Sequence, residues 1–143
     1  MFRSSRFVRA AAISYFCVAC SSSAPPAPSG DVSFSTTPLG EAPSTSGAFQ
    51  VAMYPATTGL VQGLNTIEIV VTDAQAVPAD GLAITLQPWM PSMGHGASTT
   101  PTITPKGSGQ YVATNVALIM PGSWQLRTTV APSEQAVVAV AVP

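Results

Sequence analysis

From Gly47 to the end of the chain, apolar and polar residues alternate in short runs broken by Gly, Pro and Asn. Such alternation is the period-two signature of half-buried strands. Thr66–Thr72 is the clearest run: Ile67, Ile69 and Val71 share one face, with Glu68 and Thr72 on the other. In Leu82–Trp89, Leu82, Ile84 and Leu86 alternate against Ala83, Thr85 and Gln87. In Ser123–Val130, Trp124, Leu126, Thr128 and Val130 face one way, and Gln125, Arg127 and Thr129 the other. Ala48–Tyr54, closed by Pro55, and the runs Gln110–Val116 and Gln135–Val142 read as further strands. Thr99–Thr104 is a weaker strand, because Pro101 and Pro105 suit only a sheet edge. The segments 73–81 and 106–109 carry the Gly, Pro and Asp that turns require. No window sustains an apolar period of 3.6 residues. The pattern predicts an all-β chain: one immunoglobulin-like antiparallel β-sandwich of about seven strands, with Trp124 and the alternating aliphatics as its core.

Upstream the pattern changes. Residues 21–46 are rich in Ser, Pro, Thr, Gly and Ala, and too poor in large apolar side chains to offset the entropy of ordering them. They read as a flexible tether. Before it, Arg3, Arg6 and Arg9 precede a short apolar stretch from Ala10 to Ala19, the layout of an export signal. Ala19-Cys20 followed by Ser21-Ser22-Ser23 resembles a lipoprotein processing site, although Cys17 stands where such sites usually carry Leu. The expected organisation is a lipoprotein signal peptide over 1–19, a Ser/Pro-rich linker over 20–46 and the sandwich over 47–143. An ordinary cleaved secretion signal is the alternative. With Cys20 acylated, the lipid bilayer becomes the anchor. Ser21 resembles the sorting pattern for the outer membrane, which gives a lipid-anchored, periplasm-facing location in the cell envelope.

That reading uses both cysteines and leaves the domain without a disulfide or a thiolate ligand, so a Cys-rich scaffold and a Cys-bound zinc site are excluded. It also removes three of the five basic residues. Lys106 and Arg127 then face six carboxylates, a net charge of −4. Nucleic-acid binding needs clustered cations to displace counterions from phosphates, and none remain.

Candidate chemistry gathers in Met90-Pro91-Ser92-Met93-Gly94-His95-Gly96, which holds the only histidine. A second Met-Pro pair opens Met120-Pro121-Gly122-Ser123-Trp124. Thioether and imidazole are soft to borderline donors that select Cu(I) over hard cations. In an immunoglobulin-like order the strands beside these segments can be neighbours, bringing Met120 near Met90, Met93 and His95. Gly94 and Gly96 allow the backbone to turn between the donors. The same residues also suit a purely structural reading, with Met and Trp plugging the end of the sandwich and the prolines stiffening its loops.

The strings Met-Pro-x-Met-Gly-His-Gly at 90–96, Gly-x-Tyr at 109–111 and Met-x-Gly-x-Trp at 120–124 resemble the YtkA-like domain family. Its members are small extracytoplasmic β-sandwiches, distantly similar to FixH-like proteins associated with cytochrome oxidase assembly. The resemblance spans roughly 47–142. It implies the sandwich fold and marks Met90, Pro91, Met93, Gly94, His95, Gly96, Met120, Gly122 and Trp124 as the characteristic positions. Copper handling is compatible with it.

One histidine, scattered carboxylates and no Gly-x-Ser-x-Gly elbow give catalysis little to work with, so the chain is not expected to be an enzyme. Two expectations follow. Either a membrane-tethered domain binds Cu(I) through Met90, Met93, His95 and Met120, for buffering or for delivery to an oxidase under assembly or an efflux system, or the sandwich is a metal-free structural or protein-interaction module. The first requires the donors to converge. The second predicts an outward Trp89 in an apolar patch.

Overall fold

The computed structural model describes residues 32–57, 59–130 and 132–143. The export signal, Cys20 and the first part of the expected linker lie outside the described residues. Among the described residues nine strands follow in order: β1 (Gly40–Pro43), β2 (Phe49–Pro55), β3 (Gly63–Asp73), β4 (Ile84–Met90), β5 (His95–Gly96), β6 (Thr102–Gly107), β7 (Gln110–Leu118), β8 (Gly122–Val130) and β9 (Glu134–Val142). They form two sheets, β1-β2-β3-β7-β6 and β5-β4-β8-β9, in which every neighbouring pair is antiparallel.

The alternation read from the sequence sets which faces meet. Ile67, Ile69 and Val71 from β3 join Val51 and Met53 from β2, and Val116 and Leu118 from β7. Ile84 and Leu86 from β4, Trp124, Leu126 and Val130 from β8, and Val138 and Val140 from β9 close the core from the second sheet. Burying one face of each sheet against the other removes these side chains from water, the dominant favourable contribution to such a fold.

The seven expected strands are β2, β3, β4, β6, β7, β8 and β9, each shifted at one end or both. The proline-bearing β6 does lie at a sheet edge. The two additional strands are short. β1 arises within the stretch expected to be tether, so the sandwich begins before Gly47. Leu39 and Ala42 pack against the core, Phe34 forms an isolated bridge with Ala56, and the buried Ser44 Oγ accepts the Phe49 N–H at 3.1 Å. A Cβ on Gly40 would come within 2.8 Å of Val138 Cγ1, so β1 can lie this close to β9 only because residue 40 has no side chain. Composition alone conceals such a strand, because partners hold Gly-Glu-Ala-Pro extended rather than its own propensity.

The two ends of the sandwich differ. At one end the Asp80 carboxylate accepts the backbone N–H groups of Ser108 (3.1 Å) and Gly109 (2.7 Å). Beside it, Tyr111 Oη donates to Ala79 O at 2.9 Å and accepts the Leu82 N–H at 3.1 Å. At the other end Asn65 Oδ1 accepts the Val61 N–H, and its amide donates to Val61 O and Gly63 O. That second end also carries the Met/His turn.

Candidate metal-binding end of the sandwich

β4 and β8 are paired from Ile84↔Val130 to Trp89↔Gln125, so Met90 and the Met120–Gly122 lead into β8 reach the same end of one sheet. The expected adjacency of these two strands is therefore met. Met90 ends β4 and pairs directly with His95 of β5. Directly opposed residues of an antiparallel pair project from the same face, with Cβ atoms about 4.5–5.5 Å apart. Between them Pro91–Gly94 make a tight turn, in which Met90 O accepts the Met93 N–H at 3.1 Å and the Gly94 N–H at 3.0 Å. Gly94 has φ +68°, the left-handed conformation the turn needs.

The donors differ in exposure. Met90 is 6% exposed and belongs to the core, whereas Met93 is 57% exposed. A Cβ on Gly122 would stand 3.2 Å from Met90 Cε, so the thioether arm lies over a residue that has no side chain. Met120 is half-buried against the core, and its carbonyl accepts the indole N–H of the buried Trp124 at 3.0 Å. That bond curls Met120–Trp124 back toward the sheet. His95 is exposed, with Nδ1 3.1 Å from Gly96 O. If Nδ1 carries the proton and donates there, Nε2 keeps its lone pair for a ligand or a metal.

The structure thus brings Met90, His95 and Met120 to one end and sets Met93 on the turn above them. Met90 also fulfils the structural role foreseen for it, as a plug between the sheets. Pro91 sits in the exposed turn, and Gly96 lies under Trp89, where a Cβ would meet the ring at 3.4 Å. Among the described residues no group of three or more His, Cys, Asp or Glu side chains could hold a metal ion. A metal site in this domain would rest on thioether sulfur.

Sequence reading placed Arg127 on the outer face of its strand but missed its partner. The guanidinium carbon stands 4.5 Å from the centre of the half-buried Trp89 ring. Gln125 Oε1 accepts Arg127 Nε–H and Nη2–H at 3.2 and 2.9 Å, holding the guanidinium in place. Arg127 is paired with Gln87, so Trp89 is its diagonal neighbour. Only the register reveals that relation. Beside this pair a groove of about 270 Å³, lined in part by Thr85, Gln87, Pro101, Thr129 and Gln135, runs along the outer face.

The two antiparallel sheets, their shared core and the paired Met-turn-His end define an all-β sandwich module. The YtkA-like family model matches residues 42–129, and the chain belongs to that family. The match begins inside β1, in keeping with a domain that starts before Gly47. No curated protein matches the chain.

Proposed function

We propose that this YtkA-like domain is a non-catalytic, extracytoplasmic Cu(I) binder, tethered to the membrane through Cys20. The observation that carries the reading is the direct pairing of Met90 with His95. The pairing sets Met90 and His95 opposite each other across β4 and β5, with Met93 in the intervening turn and Met120 just ahead of the adjacent β8. Three thioethers and one imidazole form a soft, nearly neutral donor set, which suits Cu(I) and suits Zn(II) or Cu(II) poorly. Met93 and His95 are the exposed donors that would meet the ion first, and Met120 and Met90 line the inner side. A set with two exposed donors suits buffering or hand-over to an envelope partner, such as an oxidase under assembly or an efflux system.

Anaerobic Cu(I) titration of the full-length chain against a competing chelator tests the proposal, with His95→Ala and Met93→Leu measured alongside. One-to-one binding weakened at least tenfold by each substitution, about 1.4 kcal/mol apiece, is the expected result. Binding no stronger than the chelator's, or indifferent to both changes, overturns it.

A further inference from the structure

The two sheets have four edge strands, β1, β6, β5 and β9, and three of them carry features that discourage further pairing. β1 is four residues long and contains Glu41 and Pro43, β6 contains Pro105 and Lys106, and β5 has two residues. The nine-residue β9 has no such feature beyond its first residue, Glu134. From Ala136 to Val142 it reads Ala-Val-Val-Ala-Val-Ala-Val.

β1 packs beside β9 at Gly40 and Val138, but only the start of this edge is hydrogen-bonded by another segment. Thr45 Oγ1 accepts the Gln135 N–H at 3.3 Å and donates to Gln135 O at 3.1 Å. Both backbone groups of Gln135 therefore point away from β8. Backbone groups alternate direction along an antiparallel strand, so those of Val137, Ala139 and Ala141 point outward as well. No hydrogen bond within the described residues takes them up. Their side chains lie on the outer face, and Val137 is 39% exposed.

We infer that β9 is a self-pairing edge, where a second copy of this chain adds its own β9 antiparallel across a two-fold axis at Ala139. Val137 then exchanges hydrogen bonds with Ala141 of the partner subunit, and Ala139 pairs with Ala139 of the partner subunit. The four-stranded sheet becomes one continuous sheet of eight. A two-fold contact sets each residue near the axis against its own copy or a close neighbour, so a charge there would face a like charge. Residues 136–142 contain none, although the domain as a whole is acidic. Small side chains on both strands let them approach to the spacing of an ordinary ladder.

Sedimentation equilibrium of the full-length chain over a range of concentrations tests this, together with Ala139→Lys and Ala139→Pro. Lysine sets two like charges across the axis. Proline deletes an outward N–H without touching the β8 ladder. The expected result is a mass rising with concentration from one chain to two, with dimerisation at least tenfold weaker in both variants and their thermal unfolding retained. Amide exchange supplies a second reading on the unaltered chain: the N–H groups of Val137, Ala139 and Ala141 become protected as dimer forms. A chain that stays monomeric at every concentration overturns the inference, and so does a dimer indifferent to both variants. Protection of those three amides by an added foreign peptide, without self-association, also overturns it.

Discussion

Met90 and Gly122 are close neighbours: a Cβ at position 122 would stand 3.2 Å from the methionine methyl, tight enough that the methyl would have to give way by a few tenths of an ångström. Gly122 also has φ +119°, which side-chain-bearing residues rarely adopt. Gly122→Ala therefore meets both backbone strain and a crowded neighbour. It is expected to lower unfolding stability by about 1–3 kcal/mol, measured by urea denaturation. A loss below a few tenths would show that the Met90 side chain moves aside at little cost.

Thr128 offers a gain. It is fully buried on the core face of β8, and among the described residues its hydroxyl has no hydrogen-bond partner. Valine has nearly the same shape and lacks the polar atom. Thr128→Val should raise stability by roughly 1 kcal/mol by removing an unsatisfied hydroxyl. Thr128→Ser, which keeps the hydroxyl and drops the methyl, should lower it. Parallel denaturation curves check the ordering.

Glu134 couples stability to pH. The Ser46 N–H donates to its carboxylate at 3.0 Å, and the Ser44 and Ser46 hydroxyls add to the effect, so its pKa is held below the ordinary 4.5. A folded-state pKa below the unfolded one means that the stabilisation is present above about pH 4.5 and is lost as pH falls through the lower folded value. Thermal unfolding of the wild-type chain should lose more stability over that acid window than Glu134→Gln does. Equal slopes would detach this carboxylate from the acid response.

Arg127 shields Trp89 from the solvent on one side of its ring. Arg127→Ala should expose the indole, increase iodide quenching of tryptophan fluorescence, and cost about 0.5–1 kcal/mol. Trp124 is buried and would not contribute to the change. An unchanged quenching constant would mean that the stack is not maintained in solution.

Much of the core was readable because β3, β4, β8 and β9 follow a two-residue period. Ile67, Ile69 and Val71 were placed inward from alternation alone, and all three are fully buried. The Gly-Glu-Ala-Pro strand was not readable, since contacts with Met53, Val51 and Val138 hold it extended and it has no pattern of its own. The candidate site divides the same way. That Met90 and Met120 share one end follows from strand order, which the sequence could propose. That Met90 lies inside the core, with Met93 outside it, follows from a four-residue turn whose geometry rests on backbone bonds. The Arg127 stack needed the register, and no spacing along the chain encodes a diagonal across two strands.

The bonds joining Thr45 to Gln135 span 90 residues of sequence, and Ser46 reaches Glu134 across nearly as many. Synthesis delivers the first of these partners long before the second. Until β9 is made, the turn after β1 has nothing to dock against, and one edge of β8 lacks its neighbour. No fragment ending before that strand can seal the sandwich, so the chain must wait, with apolar surface open, for β9. A stop codon ahead of residue 134 would leave β1–β8 with the edge of β8 open and part of the core uncovered, an aggregation-prone chain, not a smaller working domain.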